Sequence, residues 1–191
     1  MKKQIASSIA MHRKMLDNLE DDGIDAIEAA AKMIIQSITA GGIIYICGNG
    51  GSAADAQHIA AELIGRFLKE RKALPAVALS TDTSIITAVA NDYGFENIFA
   101  RQLEGLVKKN DCLWAISTSG SSPNVVKAAE LAKKRGANII AFTGRKDSKL
   151  EKLADLCLCA QADKSFAVQE MHQVAYHIIC DLVEQHFAGE K

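Results

Sequence analysis

A short polar loop between an apolar run and a helical pattern is the first segment of the chain that could do chemistry. The apolar run Ile43–Cys47 ends at the tetrapeptide Gly-Asn-Gly-Gly, and a helical pattern opens at Ser52. Glycines let backbone N–H groups approach an anionic or polyhydroxyl ligand closely, and a helix N-terminus adds a partial positive charge. Ser52 is predicted to be the N-cap of this helix, with Asp55 completing a capping box. The loop is therefore predicted to lie at a ligand-binding edge of a sheet.

Two helical faces carry groups that can bind a metal ion or move protons. His58 and Glu62 are four residues apart, so both side chains project from one face of the helix that follows the glycine loop. In the last helical pattern, polar residues recur every fourth position at Gln169, Gln173 and His177. Imidazole, carboxylate and amide groups suit zinc or another divalent ion. Gln169 and His177 would be about 12 Å apart on a continuous helix, which leaves open a bend, a non-ligand, or sites on different subunits.

A second loop repeats this arrangement after another apolar run. It reads Ser-Thr-Ser-Gly-Ser-Ser from Ser117 to Ser122, and Pro123 stands at the first helical position. Five hydroxyls beside free N–H groups at a helix start can bind a phosphate, although the loop contains no basic residue. It is not a Walker loop, because no Gly-Lys-Ser/Thr follows, and the glycines of the first loop lack the spacing of a dinucleotide fingerprint.

A third loop, from Ala90 to Phe95, ends a helical pattern with the sequence Ala-Asn-Asp-Tyr-Gly-Phe. Taken alone, this sequence predicts only a helix C-terminus. Its polar residues, Asn91 and Asp92, would gain a functional role only if they faced the other two loops.

The elements that must position these loops are short apolar strands alternating with helices. This alternation predicts right-handed crossovers and an α/β fold with a five-stranded parallel sheet covered on both faces. The predicted strands are Ile43–Cys47, Ala76–Ser80, Cys112–Ser117, Asn138–Thr143 and Leu156–Ala160. The predicted helices between them are Ser52–Phe67, Ser84–Asn91, Ile98–Lys108, Pro123–Arg135 and Lys149–Ala154.

Further helices flank the predicted sheet in sequence. Two, about Lys3–Leu19 and Asp25–Ala40, precede it, and a long one, about Ser165–Phe187, follows it. We predict a single domain over residues 1–191, with N-terminal helices in 1–40, the sheet core in 41–163 and the C-terminal helix in 164–188. Apolar residues such as Ile5 and Ile9 recur at helical spacing. They indicate either packing on the domain or, as the favoured interpretation, a helical bundle between subunits.

Bulk composition argues against several classes of partner. The net charge of −1 and the pI near 6.5 predict no general attraction to nucleic acid or to an anionic membrane. No apolar run approaches the roughly 20 residues that span a bilayer, and the N-terminus has no signal-peptide pattern. The five cysteines form no C-x-x-C pair, which favours reduced thiols in a cytoplasmic protein.

Together, these motifs resemble the phosphoheptose isomerases of the sugar isomerase (SIS) domain superfamily over nearly the whole chain. The specific elements are the twelve residues from Cys47 to His58, Gly65-Arg66, the loops at Ala90 and Ser117, and Gln-Glu-Met-His-x4-His from Gln169. The resemblance implies a flavodoxin-like sheet in a homotetramer whose active sites lie between subunits. It also implies conversion of sedoheptulose 7-phosphate to D-glycero-D-manno-heptose 7-phosphate through an enediol, toward the heptose of bacterial lipopolysaccharide.

The resemblance also implies a role for each matching residue. Sugar contacts would come from Asn49, Gly50, Gly51, Asn91 and Asp92, and phosphate contacts from Ser117, Thr118, Ser119 and Ser122. One zinc ion per subunit would be bound by His58, Glu62, Gln169 and His177. Glu62 and Gln169 would also contact the substrate, and Glu62 and His177 would be the acid/base pair. A carboxylate, an imidazole and a cation can together act as base, as acid and as the group that stabilises an enediolate.

One segment departs from the family pattern. The family commonly has Ala-Arg-Ile before the Gln-Glu pair, whereas this chain has Phe166-Ala167-Val168 with Lys164 nearby. The departure bears on the identity of the sugar more than on the reaction type. The alternatives are a non-enzymatic SIS protein that binds a bacterial replication initiator, an isomerase of another sugar phosphate, and a sugar-phosphate sensor. The presence of both Glu62 and His177 favours an enzyme.

Overall fold

A sheet of five parallel strands lies at the centre of the protein, in a computed structural model that describes residues 1–188. The strands are β1 Ile44–Cys47, β2 Ala76–Ala78, β3 Cys112–Ser117, β4 Asn138–Thr143 and β5 Leu156–Cys159. Their order is β2-β1-β3-β4-β5, so β1 pairs with both β2 and β3. The chain thus changes direction across the sheet between β1 and β3. Ligands bind in the crevice outside the carboxyl ends of the strands at such a switch point.

Helices cover both faces of this sheet. They are α1 Lys2–Thr39, α2 Gly51–Ile64, α3 Thr83–Tyr93, α4 Ala100–Leu106, α5 Pro123–Lys134, α6 Lys149–Leu153 and α7 Ser165–Phe187, with a 3-10 helix at Phe95–Asn97. Alternate residues of β3 enter opposite cores. Trp114 packs with α1, α2 and α7, whereas Leu113 and Ala115 pack with α3 to α6. The predicted parallel sheet with two covered faces is confirmed.

The predicted pair of N-terminal helices is wrong, because residues 2–39 form one helix of 38 residues. The predicted gap covers an acidic stretch that includes Gly23, and both Asp and Gly have low helix propensity. Gly23 is instead buried inside α1. Burial of Ile27 and Ile34 in the core outweighs the cost of about 1 kcal/mol for an internal glycine.

The predicted N-cap of the helix after the glycine loop is also wrong. Helix α2 begins at Gly51, with Gly50 as its N-cap at φ 55°, a left-handed conformation that favours glycine. Ser52 therefore lies in the first turn and is buried, with its backbone N–H donating to the Asn49 carbonyl. The helix also ends at Ile64 rather than Phe67, because the following residues form a loop that reaches back toward α7.

The cysteines and the helix hydropathy bear on two predictions made from composition. The five cysteines are free, and Cys47, Cys112 and Cys180 are buried. None of the helices within residues 1–188 combines the length and hydropathy that a bilayer crossing requires.

Candidate active site

The glycine loop and the serine loop lie side by side at the switch point, joined by a reciprocal amide pair. Asn49 Nδ2 donates to Asn124 Oδ1, and Asn124 Nδ2 donates to Asn49 Oδ1, both at 2.8 Å. Asn124 is buried in the first turn of α5, and its Oδ1 also accepts the Val125 N–H at 3.0 Å. Sequence reasoning missed the role of Asn124, for which the only signal was its place in the motif after Pro123. The pair fixes the separation of the two loops.

The serine loop forms a cluster of hydroxyls in front of α5. Ser117 Oγ donates to Ser122 Oγ at 3.1 Å and lies 3.4 Å from Ser119 Oγ. Pro123 is the first residue of α5, as predicted, and Ser122 is its N-cap residue, although the Ser122 side chain makes no capping bond. Gly120 turns the loop at φ 62°, and a Cβ there would lie 2.3 Å from Ser148 Cβ. Hydroxyls and the α5 N-terminus are thus concentrated at one point, which suits a phosphate.

Thr118 and Ser119 line a small cleft of about 110 Å³ that lies between the serine loop and the start of α7. Thr118 Oγ1 donates to Ser165 Oγ at 3.3 Å, at the start of α7. Arg145 lines the same cleft and lies 3.9 Å from Asp163. The fold therefore brings a cation beside the serine loop that contains none, a proximity that no sequence spacing indicated.

Three of the four predicted metal ligands converge from α2 and α7. His58 Nε2 lies 3.0 Å from Glu62 Oε1. The His177 ring stands edge-on to the His58 ring, with centroids 4.9 Å apart. Tyr176, which sequence reasoning missed because it reads as a core residue, places its hydroxyl 3.0 Å from His58 Nδ1. The cluster thus contains a carboxylate, two imidazoles and a phenol.

Burial shifts the pKa values of His177 in this cluster and of Asp55 next to it. It raises the pKa of Asp55 to about 6, against the opposing influence of His58 and Tyr176, and Asp55 Oδ2 is buried without a hydrogen-bond partner. Burial and the neighbouring His58 lower the pKa of His177, and the charge of Glu62 acts in the opposite direction. His177 is therefore a neutral imidazole near pH 7, which can both donate and accept a proton.

The structure does not bring the remaining predicted residues into this cluster. Helix α7 is continuous, and the Gln169 amide lies against the glycine loop, where a Cβ on Gly51 would be 2.6 Å from Gln169 Nε2. Asn91 and Asp92 are exposed and hydrogen-bond to each other at 2.8 Å. Within residues 1–188, no three His, Cys, Asp or Glu side chains are grouped closely enough to hold a metal ion. The four predicted zinc ligands therefore do not form one site within a single chain.

The doubly wound sheet, with hydroxyl-rich and amide-rich loops at its switch point, defines an α/β protein whose loops carry groups that suit a small phosphorylated polyol. Residues 9–144 match the SIS domain family. The chain is 47% identical over 190 residues to phosphoheptose isomerase from Helicobacter pylori (strain Shi470), covering 100% of this chain and 97% of that protein. It is 46% identical over 187 residues to phosphoheptose isomerase from a Nitratiruptor species, covering 98% of this chain and 100% of that protein.

Solved structures agree. Phosphoheptose isomerase from Neisseria gonorrhoeae superposes with a TM-score of 0.91 at 37% identity, covering 96% of this chain and 98% of that one. The enzyme from Francisella tularensis gives a TM-score of 0.92 at 35% identity, covering 96% and 97%. The chain belongs to the SIS domain family and, within it, to the phosphoheptose isomerases.

Proposed function

We propose that this protein is a cytoplasmic aldose–ketose isomerase that converts sedoheptulose 7-phosphate to D-glycero-D-manno-heptose 7-phosphate, a precursor of lipopolysaccharide heptose. The observation that carries the proposal is that Glu62 and His177 both lie beside His58, between α2 and α7, in a fold that places the serine loop at the switch point of its sheet. The names of the relatives support the choice of substrate. No other candidate function is favoured by a specific contact among the described residues.

The two loops would bind opposite parts of the substrate. Ser117, Ser119 and Ser122 would donate hydroxyl hydrogen bonds to the phosphate, which also gains from the α5 N-terminus. The glycine loop, held by Asn49 and its amide partner, offers backbone N–H groups to the sugar hydroxyls. Binding of the remote phosphate orients the carbons that react, which lowers the entropic part of the barrier.

Proton transfer would be shared by Glu62 and His177. The Glu62 carboxylate takes a proton from C1 of the ketose, the C1–C2 double bond forms, and the carbonyl oxygen at C2 receives a proton. The neutral His177 imidazole exchanges protons with the two oxygens of the resulting enediol. Return of a proton from Glu62 to C2, with loss of the proton on the C1 oxygen, gives the aldose.

Replacement of the proposed base tests this mechanism. Glu62→Gln removes a basic oxygen but preserves shape, so kcat should fall by about 10²–10⁴-fold while substrate still binds. The assay is proton NMR of sedoheptulose 7-phosphate in deuterated water, which also detects deuterium at C2 of the product. Glu130→Gln, at an exposed position of α5, is the matched control and should retain wild-type activity. Near-normal turnover by the Glu62 variant would refute its role.

We also propose one zinc ion per subunit. His58, Glu62 and His177 offer the imidazole and carboxylate donors that zinc prefers, and Gln169 is the fourth predicted ligand. When bound, the ion would supply positive charge to the developing enediolate. Because Gln169 lies beside Gly51, a four-ligand site would need a second subunit. Metal analysis should find about one zinc per chain, lost in His58→Ala; full activity of metal-free protein would contradict the proposal.

A homotetramer with shared active sites is the third part of the proposal. Large apolar side chains are exposed along the first half of α1, including Ile5 at 59% and Ile9 at 52%. Ile178 and Leu182 on α7 are exposed as well. Contiguous exposed apolar surface on a protein of this size commonly marks an interface. Sedimentation velocity should show a tetramer that Ile9→Asp dissociates, and a monomeric wild-type protein would contradict the proposal.

A further inference from the structure

A buried ion pair lies directly behind the helix end that carries Glu62. Arg71 Nε lies 3.4 Å from Glu184 Oε1, and each side chain is only 1% exposed. Arg71 belongs to the loop after α2, and Glu184 belongs to the last turns of α7. Replacing buried ion pairs with apolar residues is often neutral or stabilising, so stability alone gives little reason for this one.

The Glu184 carboxylate binds backbone N–H groups of the loop after α2. Its Oε1 accepts the Phe67 N–H at 2.7 Å, and its Oε2 accepts those of Leu68 and Lys69 at 2.5 and 2.7 Å. Burial acts to raise the pKa of Glu184, but these three donors and Arg71 outweigh it, and the pKa lies below its usual value. The carboxylate is thus charged near pH 7 and uses both oxygens to fix three consecutive residues.

Arg71 binds the C-terminal end of α2, where this loop begins. Its guanidinium donates to the carbonyls of Glu62 at 2.7 Å, Leu63 at 2.8 Å and Gly65 at 3.2 Å. These carbonyls belong to the last turn of α2 and its C-cap, where the helix leaves acceptors without an intrahelical partner. The cation also complements the negative end of the helix dipole. The backbone of Glu62 is therefore fixed by a buried, rigid donor.

The contacts of Glu184 and Arg71 reach the proposed acid/base residues, His177 and Glu62. Phe67, whose N–H is held by Glu184, stacks on the His177 ring with centroids 5.7 Å apart and planes 30° apart. Arg71 donates hydrogen bonds to the backbone of the helical turn that contains Glu62. We propose that the Arg71–Glu184 pair is a positioning device that holds Glu62 and His177 where each can exchange protons with the substrate. The inference rests on the proposed isomerase function.

Glu184→Gln tests this positioning role. The amide would turn its NH2 group toward backbone N–H donors that now meet an oxygen, so the loop must move. Misplacement of reacting groups by about 1 Å can cost 10²-fold, so kcat should fall by about 10- to 100-fold. KM should stay within about twofold, because the serine loop is untouched. Asp181→Asn, one turn earlier on α7 and bonded to Gln185, is the matched control and should behave as wild type.

Two readouts separate positioning from a loss of folded protein. With ketose deuterated at both C1 positions, the primary isotope effect on kcat should rise in Glu184→Gln, since a misplaced base makes C–H cleavage more rate-limiting. The His177 Cε1–H resonance should shift, because the neighbouring Phe67 ring would move relative to the His177 ring. Partial unfolding changes neither quantity in the remaining folded molecules.

The outcomes are distinct. A raised isotope effect with a shifted His177 resonance supports the proposal, whereas wild-type values of both overturn it. If the wild-type protein did not isomerise the substrate, the proposed function would fail, and the His177 resonance alone would still decide whether the pair positions that ring. Should Glu184→Gln not fold, Arg71→Lys keeps the charge but loses the guanidinium fork, and it is held to the same readouts.

Discussion

His172 makes the stability of this protein depend on pH in a way that can be worked out from its surroundings. Its side chain is fully buried on α7, with Nε2 3.1 Å from the Thr143 carbonyl and the Phe142 ring 5.1 Å away. Burial lowers the pKa of His172 to about 4, although the bond to Thr143 acts in the opposite direction. The folded protein therefore keeps this ring neutral, with Nε2–H as donor.

The sign and size of the effect follow from linkage. In the unfolded chain the pKa of a histidine is about 6.5, so between that value and about 4 only the unfolded state binds the proton. The free energy of unfolding therefore falls as the pH falls through this range. At about 1.4 kcal/mol per pH unit, lowering the pH from 6.5 to 5 should cost about 2 kcal/mol. Asp55, whose pKa is raised to about 6, contributes with the opposite sign, since the stability it adds at low pH is lost as the pH rises through 6.

A variant isolates the His172 contribution from that of other groups. His172→Gln can still donate to the Thr143 carbonyl but cannot titrate. Urea unfolding at fixed protein concentration, from pH 8 to pH 5, should show a loss of stability smaller by about 2 kcal/mol in this variant than in the wild type. His186→Gln, at an exposed position, should retain the wild-type dependence. Equal pH dependence in His172→Gln and wild type would refute a buried, neutral imidazole.

Three further substitutions test the loops. Gly120→Ala should destabilise the fold by about 2 kcal/mol or more, measured by Tm, because φ is 62° and the new Cβ would lie 2.3 Å from Ser148 Cβ. Gly51→Ala should leave Tm nearly unchanged, because the flexible Gln169 amide can move away, but should lower kcat/KM about tenfold. Asn124→Ala should cost about 1–3 kcal/mol, because the buried Val125 N–H and the half-buried Asn49 amide lose their bonds, and it should raise KM for the sugar phosphate.

A common control serves the glycine variants. A Cβ added to Gly105, which lies in α4, would have nothing within 4 Å, so Gly105→Ala should be stabilised by about 0.5–1 kcal/mol. A wild-type Tm in Gly120→Ala would show that the serine loop needs no left-handed residue. Unchanged kinetics in Gly51→Ala or Asn124→Ala would show that the glycine loop does not contact the sugar.

Much of the sheet was predictable because its strands are continuous apolar runs. Strands β3 and β4 begin and end at the predicted residues, where a polar residue or a turn stops each run. Strand β2 is shorter than predicted, since the residues after Ala78 turn before α3 begins. Periodicity alone does not give the strand order, because it describes which faces are covered and not which strands are neighbours. The observed order is the flavodoxin-like one that the family resemblance implied.

The sequence predicted only those parts of the site whose functional residues are close together along the chain. The loops at Asn49 and Ser117 and the His58–Glu62 pair are local patterns. The structure joins the two loops at one edge of the sheet and places the pair further along α2, in its last two turns. Asn124 and Tyr176 gain their roles from partners more than 70 residues away, which no local spacing reveals. Helix geometry predicted a separation of about 12 Å between Gln169 and His177 and left open a bend, a non-ligand or sites on different subunits. The continuity of α7 rules out the bend.

The continuity of α1 means that one helix has two local stabilities. At 38 residues it is about 57 Å long. Its second half is anchored by Ile27 and Ile34 in the core, whereas residues 1–10 are exposed along every face. In an isolated chain, amide hydrogens of the first half would exchange with solvent through fraying, and those of the second half only through global opening. In the proposed tetramer, contact between subunits would slow exchange in the first half, so the exchange rate along this helix would report how many chains had assembled.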